Sequence, residues 1–319
     1  MTSPDNSKPL VSIVTPCFNE AENVFELARR VRAQMERFPQ YHYEHIYIDN
    51  ASSDATVDRI KELAADDQRI KLIVNQRNFG HIRSPMHGVL EARGQAIVLM
   101  ASDLQDPPEL IPEFIAQWKA GYKIVVGQKR MTAETLSMSI VRKLFYRTIG
   151  RISDVKLIPD FTGFGLYDRS VIEVVRQIND PYPYFRGLIA DLGFEYATVP
   201  FDKPRRVQGI TKNNFYTLYD IAMLGITSHS KVPIRLAAMA GFSLSIISLL
   251  ISFLYLILKL AFWEYFTFGT APILISLFFF ASVQLFFIGI IGEYVGAIHT
   301  QAMKRPLVVE KERFNFDRD

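Results

Sequence analysis

A repeated alternation of strand and helix patterns constrains the fold of this chain more than any other feature. Runs of apolar and β-branched residues occur at 10–16, 45–48, 70–74 and 96–100. Apolar residues at helical spacing follow the first three runs, and Pro107 or Pro108 begins a helix after the fourth. Four such units in about 110 residues predict an α/β fold, with a mostly parallel sheet and helices on both faces.

Acidic residues follow three of these strands, and the ends of parallel strands share one edge of a sheet. We interpret Asn19 as the cap of the first helix, with Glu20 in its first turn. Asp49 ends the second strand. Both acids are typical of helix caps, but carboxylates at such an edge can also accept bonds from a base and a ribose.

The stretch from Ala101 to Glu109 carries the most informative group of polar side chains. In an extended segment, Asp103 and Gln105 would lie on the same side, and oxygen ligands of this kind suit a divalent cation that holds a diphosphate. The alternative is that the stretch only caps the next helix. No G-x-G-x-x-G follows the first strand and no P-loop motif occurs, so a dinucleotide or P-loop fold is not supported.

Composition excludes several classes of protein. The net charge of +3 gives no argument for a nucleic-acid partner, and the single cysteine, Cys17, excludes a disulfide framework and favours a packed residue over a nucleophile. The polar stretch 1–9 has no signal-peptide core, so we expect the first 230 residues to stay in the cytoplasm.

Four stretches between 135 and 230 suggest contacts with ligand or membrane. The segment 135–150 is basic and amphipathic, which fits either a membrane-surface helix or a helix packed on the sheet; we expect a second surface helix at 213–230. Glycines in 159–167 would allow a ligand to approach the backbone. The loop 203–212 could clamp a phosphate, be solvated or attract anionic lipids; its candidate ligands are Arg205, Arg206, Thr211 and Lys212.

Two apolar runs, 236–258 and 271–292, are each about as long as a bilayer-spanning helix. Lysines and arginines before the first run and after the second place both ends in the cytoplasm. We therefore predict a catalytic domain at 1–230, a transmembrane hairpin within 231–298 and a cytoplasmic tail at 299–319. Gly292 and Gly296 form a single G-x-x-x-G motif, which weakly suggests an oligomer.

The order of motifs resembles family-two glycosyltransferases of GT-A fold, and among them the polyisoprenyl-phosphate glycosyltransferases. The resemblance covers nearly the whole length. It is carried by S-I-V-T-P-C-F-N-E at 12–20, I-D-N-A-S-S-D at 48–54, R-N-F-G at 77–80, S-D-L-Q-D-P-P-E at 102–109 and G-I-I-G-E-Y-V-G-A-I at 289–298.

The resemblance implies roles for particular residues. Asp103 and Gln105 would bind Mg²⁺ or Mn²⁺ on the diphosphate, and Asp103 is also expected among the catalytic and the nucleotide-binding residues. Asp160 would be the catalytic acid, with Asp154 as its rival, because T-G-F-G-L replaces the G-D-F-R-L of many relatives. The nucleoside would contact Pro16, Phe18, Glu20, Asp49 and Arg77.

Two further departures from the family pattern bear on these roles. Ala101 stands where many relatives have the first acid of D-A-D-L-Q, and Asn50 replaces the second acid of a D-D pair. Without an acid at 101, fewer protein oxygens would bind the metal. Asp49 is a better candidate than Asn50 for binding the nucleoside.

The resemblance implies an inverting, metal-dependent transfer of a hexose to a polyisoprenyl phosphate on the cytoplasmic leaflet of the plasma membrane. The favoured donor is UDP-glucose. The transferred sugar could instead be mannose, galactose or an amino sugar. The alternative from another class of protein function is a membrane subunit that senses nucleotide and has no enzymatic activity. A processive polysaccharide synthase would carry a Q-x-x-R-W motif, which the sequence lacks.

Overall fold

A computed structural model describes residues 8–130, 158–159, 161–202, 223–225, 227, 230–262 and 270–316. These residues form one eight-stranded sheet in the order β7-β5-β6-β4-β1-β2-β3-β8. The strands are β1 (Leu10–Cys17), β2 (His42–Asp49), β3 (Ile70–Asn75), β4 (Ala96–Leu99), β5 (Ile124–Lys129), β6 (Phe161–Asp168), β7 (Tyr196–Phe201) and β8 (Glu310–Phe314).

Helices alternate with these strands along the first part of the chain, and two long helices follow. They are α1 (Val24–Met35), α2 (Thr56–Asp66), α3 (Gly80–Glu91), α4 (Ile111–Lys119), α5 (Arg169–Ile178), α6 (Phe185–Asp191), α7 (Val232–Ala261) and α8 (Thr270–Ala302). A 3₁₀ turn, Pro108–Leu110, precedes α4, which confirms that Pro108 begins a helical segment.

The sheet is buried on both faces, as the apolar runs of its central strands predict. On one face, strand residues such as Ile13 and Tyr47 pack with the apolar side of α1, α2 and α4. On the other face, Val14 and Ile48 pack with α3, α5 and α6. Four strand pairs are parallel and three are antiparallel, so the predicted α/β class, with helices on both faces, is confirmed.

One helix-cap interpretation is wrong. Asn19 does not cap α1: its backbone is left-handed (φ 58°), its side chain accepts a bond from the amide of Ser53, and Asn23 precedes the helix. Gly165 has a packing role, because a Cβ there would lie 2.4 Å from the carbonyl oxygen of Val125 on the neighbouring strand; ligand approach at the glycines of 159–167 stays a prediction.

The C-terminal segment returns to the sheet, which the sequence analysis did not foresee. Strand β8 pairs antiparallel with β3 and covers its edge. Arg313 forms ion pairs with Glu91 of α3 and with Glu310, and Glu310 also contacts His87 Nε2 at 2.5 Å. His87, Glu91 and Glu310 are close enough to share a metal ion, but Arg313 already neutralises both carboxylates. We interpret this cluster as the attachment of β8.

Contacts divide the chain into two compact units: the sheet with α1–α6 and the segment from Met303, and a unit that contains α7 and α8. Both long helices are apolar enough to cross a membrane, over Val232–Tyr255 and Ile275–Ala302. Large apolar side chains on them are exposed, for example Phe242 at 75% and Phe278 at 68%. Such exposure fits contact with lipid, and the predicted spans 236–258 and 271–292 lie within these helices. The predicted surface helix at 135–150, most of that at 213–230 and the link at 263–269 lie outside the described residues.

Glu44 of β2 ties together three segments at the amino end of the sheet. Its side chain is 4% exposed and pairs with Lys71 of β3 at 2.8 Å. It also accepts bonds from the hydroxyl of Ser12 and the amide of Arg93, at 2.5 and 2.9 Å. The carboxylate therefore joins β1, β3 and the turn before β4.

Glu44→Gln should lower the free energy of unfolding by about 3 kcal/mol, because it leaves the ammonium of Lys71 without its buried partner. The exposed Glu62→Gln, on α2, is the matched control and should change stability by less than about 0.5 kcal/mol. Urea denaturation of the full chain in detergent measures both. Equal effects of the two substitutions would show that the Glu44 network does not stabilise the sheet.

His45, on the same strand, is buried in the core. It shares a 2.9 Å hydrogen bond with Thr15 and lies 4.2 Å from the ring of Tyr47, centroid to centroid. Burial lowers the pKa of His45 to about 3. The folded protein therefore keeps this imidazole neutral at pH values where the unfolded chain protonates it.

Because the folded-state pKa of His45 lies below the unfolded value of about 6.5, its contribution to stability is complete above that pH. It should be lost as the pH falls toward 3, at up to about 1.4 kcal/mol per pH unit. His45→Phe should flatten the dependence of unfolding free energy on pH between 6 and 4. Parallel pH profiles for the variant and the wild type would contradict this assignment.

Candidate active site

The strand order brings four loops to one edge of the sheet. Strand β1 lies between β2 and β4, and the chain runs to β2 on one side and, later, to β4 on the other. The register pairs Cys17 with Asp49 and Val14 with Leu99, so the loops after β1, β2 and β4 emerge side by side. The carboxyl edge at such a reversal of strand order is where open α/β sheets bind ligands.

Asp49 is buried at the end of β2, in the middle of this edge. Its carboxylate accepts bonds from the amide of Ser52, at 2.9 Å, and from the Ser52 hydroxyl. Burial raises the pKa of the Asp49 carboxyl, although the bonds from Ser52 and from the Ala51 amide oppose that shift. A ligand that donates a further hydrogen bond to this carboxylate would lower the cost of burying its charge.

Pro16 lies near the end of β1, and the loop after β1 carries Phe18 and Glu20; all three are partly exposed. It is fastened to the loop after β2: the amide of Glu20 donates to the hydroxyl of Thr56 at 2.8 Å, and the Asn19 amide donates to Ser52 at 2.9 Å. The Glu20 carboxylate accepts a 2.6 Å bond from the Asn23 side chain. The predicted nucleoside residues of the first two loops are therefore held next to one another.

The loop after β4 is a turn and not the extended segment that the sequence suggested. Leu104 is left-handed (φ 59°), and the amide of Gln105 donates to the Asp103 carboxylate at 3.2 Å. Asp106 is buried and accepts a bond from the Ala101 amide at 2.9 Å. Asp103 and Gln105 are partly exposed. Asp106 thus braces the turn that places Asp103 and Gln105 at the carboxyl edge of the sheet.

A group of amides that the sequence analysis missed joins the loop after β2 to the loop after β3. The side-chain oxygen of Asn50 accepts bonds from Asn75 Nδ2 and the Phe79 amide, at 3.2 and 2.8 Å. Its nitrogen donates to Asn78 Oδ1 at 2.9 Å and to the Gly80 carbonyl at 3.2 Å. The sequence showed Asn50 only as a departure from a D-D pair, whereas the amide supplies two donors that a carboxylate lacks.

Arg77, the remaining predicted nucleotide contact, lies in this third loop. Its guanidinium lies 4.1 Å from the centroid of the Phe79 ring and donates to the Asn78 carbonyl at 3.0 Å. The side chain is exposed at the carboxyl edge of the sheet. Six predicted site residues lie outside the described part of the chain: Asp154, Asp160, Arg205, Arg206, Thr211 and Lys212.

Cys17, also at this edge, is 3% exposed, and burial raises the pKa of its thiol well above the ordinary value. A neutral, enclosed thiol is a poor nucleophile. The structure therefore agrees with the interpretation of Cys17 as a packed residue.

These features define the class of protein: an α/β fold with carboxylates at the carboxyl edge of its sheet and no glycine-rich phosphate-loop motif. Residues 12–176 match the family model described as glycosyl transferase family 2. The chain is 33% identical to an uncharacterized glycosyltransferase of Bacillus subtilis, YkcC, over 96% of this chain and 94% of the relative. It is 32% identical to the bactoprenol glucosyl transferase of Shigella phage SfII, over 95% and 97%. The chain belongs to glycosyl transferase family 2 and is a glycosyltransferase.

Similar solved structures include the mannosyltransferase PcManGT from Pyrobaculum calidifontis in complex with GDP-Man and Mn²⁺. It is 15% identical, with a TM-score of 0.48, over 94% of this chain and 87% of that one. Glucosyl-3-phosphoglycerate synthase from Mycobacterium tuberculosis has a TM-score of 0.44 at 16% identity, over 69% and 78%.

Asn50→Asp should loosen the loop after β3, because it places carboxylate oxygens against the Asn78 oxygen and the Gly80 carbonyl. Amide hydrogen exchange in residues 76–80 should accelerate by about 10-fold or more. Asn78→Asp makes the same chemical change but keeps an acceptor for Asn50 Nδ2 and the Gly80 amide, so it is the matched control. Equal exchange in the two variants would contradict the role of Asn50.

Proposed function

We propose that this protein transfers glucose from UDP-glucose to a polyisoprenyl phosphate at the cytoplasmic leaflet, with inversion at the anomeric carbon. The observation that carries the proposal is the placement of Asp49 and Asp103 on either side of β1, at the reversal of strand order. The bactoprenol glucosyl transferases that align over nearly the whole chain support this sugar and this kind of acceptor. Membership of a glycosyltransferase family argues against the non-enzymatic alternative.

In this proposal the nucleoside occupies the edge formed by the first two loops. Asp49 would accept the N3–H of uracil or a ribose hydroxyl, which would offset the desolvation of its carboxylate. Pro16, Phe18 and Glu20 would flank the base and ribose, and Arg77 would approach from the third loop. The bonds from Ser52 hold the Asp49 carboxylate in place before the ligand arrives.

Asp103 and Gln105 would hold Mg²⁺ or Mn²⁺ on the diphosphate. A carboxylate and an amide oxygen on one turn are hard oxygen ligands, which suit either ion. The turn itself fits the role, because Asp106 is fastened to the Ala101 amide and leaves Asp103 and Gln105 at the edge. When bound, the ion would neutralise charge that develops on the departing nucleoside diphosphate.

The phosphate of the acceptor does not require a strong general base to act as a nucleophile. A phosphate monoester has a second pKa near ~6, so its oxygen is largely ionised at neutral pH. That oxygen would form the new bond to the anomeric carbon as the bond from this carbon to the nucleoside diphosphate breaks. Asp160 would orient the acceptor or take its residual proton, and Arg205, Arg206, Thr211 and Lys212 would contact phosphate.

Membrane attachment through α7 and α8 would place the lipid phosphate within reach of the enzyme. The sheet precedes α7 in the chain, and β8, which follows α8, belongs to the same sheet. If both helices cross the bilayer, the chain must return to the side from which it entered. This connectivity supports two spans with both flanking segments on the same side, which the proposal takes to be the cytoplasm.

Asp103→Ala should lower kcat/KM for transfer by about 100-fold or more, since it removes a charged ligand of the diphosphate-bound ion. The exposed Asp58→Ala, on α2, is the control and should keep wild-type activity. The measurement is incorporation of labelled sugar into polyprenyl phosphate in detergent with Mg²⁺ or Mn²⁺, using a panel of nucleotide sugars. Full activity of Asp103→Ala, or undiminished transfer in the presence of EDTA, would exclude the proposed metal site.

A further inference from the structure

Two arginines lie near one aromatic ring, and a third, from the C-terminal segment, is close enough to one of them to repel it. The guanidinium carbons of Arg77 and Arg83 are 4.1 and 5.2 Å from the centroid of Phe79. Arg83 Nη2 donates to the carbonyl of Pro306, the residue after Arg305. We call Arg77, Arg83 and Arg305 the Phe79 arginine cluster.

The cluster lacks the acidic partners that arginines have elsewhere in this protein. Among the described residues, no ion pair involves its members, whereas Arg30 pairs with Glu109 and Arg313 with two glutamates. Burial lowers the pKa of Arg83, and repulsion from Arg77 and Arg305 lowers it further. Arg83 Nε is buried, and it has no hydrogen-bond acceptor among the residues that the structure describes. Concentrated positive charge of this kind is stabilised by an anionic ligand.

Backbone contacts fix the C-terminal part of the cluster against the third loop of the site. The amide of Gln76 donates to the carbonyl of Val309 at 2.8 Å. Together with the bond from Arg83 to Pro306, this contact holds residues 306–309 beside the loop that carries Arg77. Arg83 is therefore fixed in place, while Arg305 is exposed.

The position of Arg305 in the chain favours a ligand at the membrane surface. The candidate span Ile275–Ala302 ends three residues before it. Arginines that closely follow a membrane-spanning helix lie at the level of lipid headgroups. A ligand phosphate attached to a lipid tail would thus be brought to the cluster, whereas the diphosphate of a soluble nucleotide sugar has no such preference.

We propose that Arg83 and Arg305 bind the phosphate monoester of the polyisoprenyl acceptor, next to the ring of Phe79. The fork of a guanidinium matches phosphate oxygens, and two such groups suit a dianion better than one. The site deepens the proposed function and rests on it for the identity of the lipid. The proposed loop 203–212 and these two arginines would then bind phosphate together. Arg83 lies in α3, and Arg305 lies in the segment after α8.

The kinetic test compares Arg83→Gln and Arg305→Gln with Arg37→Gln in the full chain. Arg37 is an exposed arginine that bonds to Gln34, so its substitution removes the same charge far from the cluster in sequence. Each cluster variant should raise KM for polyprenyl phosphate about 10-fold, as loss of one charge-assisted bond predicts, and leave KM for the nucleotide sugar within about twofold. Arg305 is exposed, so its variant reports on binding even if Arg83→Gln folds poorly. A rise only in KM for the nucleotide sugar, or cluster variants equal to Arg37→Gln, would overturn the proposal.

A binding measurement separates this inference from the proposed function. Polyprenyl phosphate in detergent should raise the melting temperature of the wild type, and Arg305→Gln should reduce that shift, whether or not any sugar is transferred. Inorganic phosphate and phosphatidylglycerol vesicles are the comparison ligands. An equal, Arg305-dependent shift with either of them would overturn the assignment to the acceptor and indicate a free phosphate or a general anionic lipid instead. Lipid binding without transfer would overturn the proposed function but support the cluster as a phosphate site.

Discussion

The site depends on the burial of β1 between β2 and β4. Its residues Val11, Ile13 and Val14 have no exposed surface, and both neighbours pair with it in parallel register. A shift of one residue in either pairing would turn apolar side chains to the wrong face, so packing on both sides fixes the register. The same register sets the relative positions of Asp49 and the turn that carries Asp103.

Hydrogen bonds between loops then determine how those acids are presented. Bonds from the first loop to Thr56 and Ser52 join it to the second, and Asn50 joins the second loop to the third. These bonds fix irregular backbone, including the left-handed residues Asn19 and Ala51, without a helix or strand at those positions. Preorganised loops of this kind lower the entropic cost of binding a flexible nucleotide.

Elements that depend on the periodicity of apolar residues could be predicted from the sequence. Predictions were wrong or missing where a contact with a residue elsewhere in the chain determines the local structure. Apolar runs located the central strands and both long helices. Family motifs picked out Asp49 and Asp103, which lie at the same edge of the sheet, and their roles stay predictions. Asn19 fits the pattern of a helix cap, but its contact with Ser53 removes it from that role. The charged strand β8 has no apolar alternation to mark it; pairing with β3 and the ion pairs of Arg313 determine its structure. The turn at Leu104 likewise depends on the bond between Asp106 and Ala101.

Strand β8 links the proposed donor site to the proposed membrane helices along the chain. Without β8, the backbone of β3 would be an open sheet edge, which proteins protect with charged or covering strands. The covering strand here comes from the chain that follows the longest apolar helix, and its approach passes beside the loop of Arg77. A displacement of residues 303–309 would therefore strain the Gln76 and Arg83 contacts directly. Because Asn50 joins that same loop to the strand that ends in Asp49, the segment after α8 is two hydrogen-bonded steps from the proposed nucleoside site.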